Sequence, residues 1–171
     1  MRTGFYLVAD KYNLDSQSVL ENDEYLGEIY AYPEDLLVDP VFYLHGACDM
    51  FALFLAKEYE YGIRAYYTQR QGYQNLLVHA VCWCLDRAGS TCWIDIRGIT
   101  DDEAEMLAPF DADILSFQQQ GYDIAIKDYA GDDNGIDEFI EDFVDPNRDV
   151  NAFMSEISGL MEEDSMGIYA C

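Results

Sequence analysis

Apolar residues recur along this chain with two different periods, and each period predicts a type of element. Between residues 47 and 61 they occupy nearly every face, which is typical of a helix buried inside a mixed domain, and Gly62 is a natural stop for that helix. The stretches 5–9, 63–68, 76–85, 91–96 and 122–127 are rich in β-forming residues, which predicts strands. The pattern therefore combines one buried helix with several strands.

The two strands at 76–85 and 91–96 are predicted to form a hairpin, because the residues between them are typical of a turn. A loop symmetric about Ala88 places Cys84 opposite Cys92, and it places residue 81 opposite residue 95. His79 and Asp95 then share one face of the sheet, one diagonal step apart, where cross-strand side chains about 7–8 Å apart at the backbone still reach each other.

The last third of the chain is predicted to be mainly helical and acidic. Thr100 and Glu103 have the spacing of a capping box, which predicts a short helix over 101–107. Two amphipathic helices are expected further on. Their apolar stripes are Ile136, Phe139, Ile140 and Phe143, then Val150, Phe153, Ile157 and Leu160. We predict a single domain over 1–171, with a core at 41–128 and an acidic helical C-terminal extension at 129–171.

Charge restricts the partners that this chain can bind. It has 34 acidic and 9 basic residues, a formal net charge of −25, and residues 101–171 hold 20 of the acids with two bases. Such a field repels nucleic acids and anionic membranes and favours a basic partner. No apolar run approaches the length of a membrane span. The five cysteines form an odd set without a secretory leader, which predicts free thiols in a reducing cytoplasm.

Three residues have the order and setting of a cysteine-nucleophile site. Cys48 begins the apolar helix, where unpaired backbone amides stabilise a thiolate. His79 lies in the first hairpin strand and can accept the thiol proton, while Asp95 in the second strand can orient the ring. Asp49 directly follows the cysteine, and its charge is expected to raise the thiol pKa.

The residues around this trio resemble the core of the transglutaminase-like and papain-like cysteine superfamily. The resemblance covers residues 44–100 and consists of Gly46-x-Cys48, Gly62-Ile63-x-Ala65, Val78-His79-Ala80-Val81 and Trp93-Ile94-Asp95. It implies an α+β fold in which the nucleophile-bearing helix packs on an antiparallel sheet. It also implies acyl-transfer or amide-hydrolysis chemistry on a protein or peptide substrate, with Cys48, His79 and Asp95 as the catalytic triad and no cofactor.

Each of these residues also has a purely structural interpretation. Cys48 can be a small buried hydrophobe, His79 a core histidine, and Asp95 a partner of Arg97 or the cap of the turn at Gly98. Cys82, Cys84 and Cys92 could approach one another across the hairpin. Their Cys-x-Cys spacing within an apolar strand favours sheet packing over a structural zinc site, and no metal is expected.

The acidic tail supports a hypothesis of a different class. A compact protein with this charge can present carboxylates in place of DNA phosphates, and the composition resembles small phage or mobile-element proteins that block restriction or CRISPR nucleases. On this hypothesis the chain is a non-enzymatic inhibitor that binds a basic, nucleic-acid-binding protein. The residues expected to form its binding face are Asp132, Asp133, Asp137, Glu138, Glu141 and Asp142.

Overall fold

The structure, a computed structural model, describes residues 46–86, 88–96 and 98–163, with side chains described as far as residue 158. The strand predicted at 5–9 lies outside these residues. The helices and strands follow one another in the order α1 (Cys48–Tyr59), β1 (Gly62–Gln69), β2 (Leu77–Leu85), β3 (Thr91–Asp95), β4 (Gly98–Thr100), α2 (Glu103–Leu107), a 3-10 turn (Ala108–Phe110), α3 (Asp111–Gln119), β5 (Asp123–Tyr129), α4 (Asp133–Phe143) and α5 (Val150–Glu163).

The strands form one five-stranded antiparallel sheet, so the predicted α+β class is confirmed at this level. Its strand order is β4-β3-β2-β1-β5. The predicted register of the hairpin is also confirmed, because Cys84 lies opposite Cys92. A β-bulge interrupts the pairing of β1 with β2 next to the candidate site, where Tyr66 pairs with His79 and Tyr67 pairs with Leu77.

Helix α1 packs against the sheet and is buried along most of its length. The predicted stop at Gly62 is wrong. The helix ends at Tyr59, and Glu60 takes a left-handed conformation with φ 58° while its amide donates to the Ala56 carbonyl at 2.9 Å. Gly62 is instead the first residue of β1, where the indole of Trp83 occupies the space that a Cβ atom would need.

The helix predicted over 101–107 begins two residues late. It spans Glu103–Leu107, and the cap is Asp102, whose carboxylate accepts from the Ala104 amide at 3.0 Å. The hydroxyl of Thr100, predicted as the cap, instead donates to Glu105 at 2.7 Å. Strand β4 and helix α3 were not predicted, because β4 has only three residues and no buried residue lies in α3.

The acid-rich segment after residue 129 is integrated with the rest of the fold. Both α4 and α5 contact α1, and Phe139 and Ile157 are fully buried in the same core as the helix. Gly131 approaches the Glu60 carbonyl so closely that a Cβ atom would clash with the backbone there. The predicted extension at 129–171 thus supplies one wall of the core over its described part, and both ends of α1 face it.

Candidate functional site

The structure brings His79 and Asp95 together as the hairpin register predicts. The ladder between β2 and β3 ends at the pair Cys82 and Ile94. His79 and Asp95 lie just beyond that pair on these neighbouring strands. The His79 Nε2 atom is 3.3 Å from Asp95 Oδ2. In the tautomer that carries its proton on Nε2, the ring donates to the carboxylate and Nδ1 is the acceptor nitrogen.

This pair is almost completely removed from solvent. His79 is 0% exposed and Asp95 is 2% exposed. The imidazole stacks on the ring of Phe110, with the ring centroids 4.2 Å apart and an angle of 28° between the planes. Packing against an aromatic ring and contact with a carboxylate together fix the orientation of the histidine.

Cys48 is the first residue of α1 and is 8% exposed. The backbone amides of Asp49 and Ala80 lower the pKa of its thiol, and Ala80 directly follows His79. These two amides favour the thiolate, but burial and the Asp49 charge outweigh them, and Asp95 acts in the same direction as Asp49. The pKa of the Cys48 thiol is raised to about 12. Cys48 is therefore a neutral thiol at physiological pH.

The Asp49 carboxylate is compensated by a residue distant in sequence. Nη1 of Arg148 lies 2.8 Å from Oδ1 and 3.0 Å from Oδ2 of Asp49, and Nη2 donates to the Gly46 carbonyl at 2.8 Å. Desolvation nevertheless raises the pKa of the Asp49 carboxyl above its ordinary value, with Arg148 acting in the opposite direction. The expected effect of Asp49 on the thiol is therefore present, but a cation moderates it.

The complete triad is not connected by hydrogen bonds. Among the hydrogen bonds between described residues, none joins the Cys48 thiol to the His79 ring. The pKa of the thiol is instead lowered by the backbone amide of Ala80, which follows His79, and raised by the negative charge of Asp95. The structure thus gathers the three residues in one buried region, and the described contact within the trio is that of His79 with Asp95. The alternative partner of Asp95, Arg97, lies outside the described residues.

The other cysteines do not form a metal centre in the part of the chain that the structure describes. No group of three or more histidine, cysteine or acidic side chains there could hold a metal ion. The Cys82 thiol donates to the Ala52 carbonyl at 3.2 Å and is 0% exposed. Burial raises the pKa of that thiol well above its ordinary value. Cys84 and Cys92 are half-buried.

Three of the six acids predicted to bind a partner are engaged inside the protein. Asp132 caps α4 by accepting from the Gly135 amide at 2.9 Å. Glu138 lies 2.8 Å from the Lys127 ammonium, and Asp142 lies 2.7 Å from it. Asp142 also accepts from the Tyr129 hydroxyl at 2.6 Å. These contacts stabilise the fold and reduce the acidic surface left for a partner.

The other three acids, Asp133, Asp137 and Glu141, recur every four residues and form an exposed stripe along α4. No ion pair to this stripe occurs within the described ranges. At its start, Asp133 and Asp137 line a cavity of about 820 Å³ between the end of α1 and the start of α4, together with Lys57 and Glu60. A concave acidic surface therefore exists at the opposite end of α1 from Cys48.

The sequence did not predict the roles of two residues at the site, Arg148 and Phe110. Arg148 is one of two basic residues in the last 71 positions, and a buried acid at position 49 implies a counter-charge, but the sequence did not indicate which cation supplies it. Phe110 lies in a short 3-10 turn whose only sequence signal is the preceding Pro109. Their roles depend on the packing of distant segments.

Comparisons with known proteins identify no relative. No protein-family model, curated protein or solved structure matches the chain. No helix in the described ranges is long and apolar enough to cross a membrane.

Proposed function

We propose that this protein is a cysteine-dependent acyl transferase or amide hydrolase. Cys48 attacks the substrate carbonyl, His79 takes the thiol proton and returns it to the leaving group, and Asp95 holds the imidazole. The observation that carries the proposal is the contact of His79 Nε2 with Asp95 Oδ2 at 3.3 Å, within a buried region that also contains the thiol at the start of α1.

The resting state follows from the raised pKa of Cys48. A thiol with a pKa of about 12 does not transfer its proton to a nearby imidazole before the attack on the carbonyl begins. We infer that the transfer to Nδ1 of His79 accompanies attack on the carbonyl. The thiol and ring must approach each other for this step, as catalytic groups often do only once substrate is bound.

A site-resolved acylation assay tests this role. The probe is p-nitrophenyl acetate, whose acetyl group would form a thioester with the sulfur while p-nitrophenolate leaves. We expect acetylation of Cys48 to slow by about 100-fold or more in His79→Gln, as loss of a general base predicts. The glutamine amide would retain a donor toward Asp95, so the fold should survive. Asp95→Asn should slow the reaction less.

Cys84 and Cys92 are internal controls, because both are half-buried thiols outside the triad. Their acetylation should be the same in all three proteins, and circular dichroism should confirm that each variant is folded. If acetylation of Cys48 in folded His79→Gln equals that in the unmodified protein, the proposed chemistry is wrong.

The exposed stripe of α4 supports a second candidate function. We propose as the alternative that Asp133, Asp137, Glu141 and the adjoining acidic cavity bind the basic, nucleic-acid-binding surface of another protein. The supporting observation is that these three acids are exposed and form no ion pair with another described residue. This function does not require Cys48.

Binding to a synthetic arginine-rich peptide tests the alternative. Neutralising Asp133, Asp137 and Glu141 to their amides should weaken binding by more than about tenfold at about 50 mM salt, since this attraction is screened as salt rises. The matched control neutralises three exposed acids elsewhere, Asp111, Asp113 and Asp123. Equal losses in both triple variants would show that only net charge matters, and the stripe would then not be a binding site.

A further inference from the structure

Arg148 joins two parts of the chain that are far apart in sequence. It lies in the connection between α4 and α5, about 100 residues from the start of α1. Its guanidinium contacts both carboxylate oxygens of Asp49 and the carbonyl of Gly46. The two contacted residues stand on either side of Cys48, so one side chain spans the turn of backbone that presents the thiol.

The geometry of this contact suits a fixed position. The two terminal nitrogens of the guanidinium donate to different acceptors, Nη1 to the Asp49 carboxylate and Nη2 to the Gly46 carbonyl, so its rigid plane constrains distance and direction together. The Asp49 side chain is 8% exposed and that of Arg148 is 31% exposed, so the carboxylate lies largely away from water while the cation reaches it from the surface. The Arg148 guanidinium also lies 5.8 Å from the ring of Phe153 on α5, which supports its orientation.

Acidic groups from two elements act on the thiol, and Arg148 compensates one of them. On its own helix Cys48 has Asp49, and β3 contributes Asp95, both of which disfavour a thiolate. Strand β2 contributes His79, which is engaged with Asp95. Arg148, from the α4–α5 connection, compensates Asp49 directly. Without this arginine, a buried carboxylate would lie unpaired beside the nucleophile.

We propose that Arg148 is a positioning residue for Cys48: it neutralises Asp49 and ties the first turn of α1 to the C-terminal helices. The reactivity of the thiol then depends on the docking of the segment after residue 143. This inference rests on the proposed function for its biological meaning, but its test measures thiol reactivity and does not require turnover.

The test is the pH profile of Cys48 alkylation by iodoacetamide, followed by site-resolved mass spectrometry between about pH 7 and 9.5. Loss of Arg148 leaves Asp49 unpaired, so Arg148→Met should alkylate about tenfold more slowly at each pH, equivalent to about one pKa unit. Asp49→Asn should alkylate faster than the unmodified protein. In the double variant, Arg148→Met should no longer slow the reaction, because there is no carboxylate left to compensate.

Arg70→Met is the matched control. It removes an arginine whose described contacts are with Tyr73, Tyr122 and the Gln120 carbonyl, away from the start of α1. Its alkylation profile should equal that of the unmodified protein. Arg148→Lys keeps the charge without the fork, so it should fall between the unmodified protein and Arg148→Met. This variant keeps the test decisive if Arg148→Met does not fold.

Two outcomes would overturn the inference. One is an equal profile for Arg148→Met and Arg70→Met. The other is slow alkylation that persists when Asp49→Asn is added, because the effect of Arg148 would then not act through the carboxylate. If only the acylation assay fails, Arg148 still compensates Asp49 and still affects the reactivity of the Cys48 thiol, but this effect has no role in catalysis. The two proposals can therefore fail separately.

Discussion

Two clusters of ionic side chains each pair carboxylates with a cation, and they differ in burial. At the start of α1, Asp49 meets Arg148 and lies near the buried His79 and Asp95. On the surface, Lys127 of β5 meets Glu138 and Asp142 of α4. In the first cluster the dominant cause of the Asp49 shift is desolvation, whereas in the second the hydrogen bond from Lys127 dominates the shift of Asp142.

This difference determines which cluster can affect reactivity. A charge held away from water acts strongly on a neighbouring thiol, while exposed charges are screened by solvent and salt. The surface cluster contributes to docking of α4 on β5, and the buried cluster sets the environment of Cys48. Three measurements test whether burial separates the two clusters.

The largest effect is expected when the buried histidine is removed. His79→Ala leaves Asp95 as a buried carboxylate without this contact and opens a cavity beside Phe110. The free energy of unfolding should fall by about 3–5 kcal/mol in urea denaturation. Tyr73→Ala, at an aromatic residue that is 57% exposed, should lower it by about 1 kcal/mol or less. Similar losses in the two variants would contradict the burial argument.

An intermediate effect is expected from pH, and its sign differs between the clusters. The pKa of Asp49 is raised above 3.8 in the folded protein, so its contribution to stability is lost as pH rises through the folded pKa. The pKa of Asp142 is lowered from 3.8, so its contribution is present above that pH and is lost as pH falls through the folded pKa.

Urea denaturation between about pH 3 and pH 7 can detect this reversal. Relative to the unmodified protein, Asp49→Asn should gain stability as pH rises, and Asp142→Asn should lose it. The change should be larger for Asp49 than for Asp142, because Asp142 lies at the surface, where solvent screens its charge. Trends of the same sign in both variants would show that burial does not separate the two carboxylates.

The smallest effect is expected at the surface cluster. Lys127→Met removes the ammonium from Glu138 and Asp142. Exposed pairs contribute about 0.2–1 kcal/mol, and salt screens them, so the loss of stability should be in that range at low salt and should fade by about 1 M sodium chloride. A loss above about 2 kcal/mol that is independent of salt would place this cluster in the same class as the buried one.

Local sequence patterns were sufficient for several features of the fold. The period of the apolar residues predicted α1 and four strands, and a turn of five residues set the register that places Cys84 opposite Cys92 and brings His79 to Asp95. These features depend on neighbours within about 20 positions, where side-chain alternation and turn length leave few choices. The end of α1 was missed because Glu60, not Gly62, adopts the left-handed conformation.

The tertiary structure decided the electrostatics of the candidate site. The sequence showed that Asp49 follows Cys48, but the partner of Asp49 comes from about 100 residues away. Only the packing of α4 and α5 against α1 brings Arg148 there. The sequence likewise indicated six acids on one segment, and the fold separated the engaged Asp132, Glu138 and Asp142 from the outward stripe. Burial and long-range pairing depend on the whole chain, so no local pattern determines the state of the Cys48 thiol.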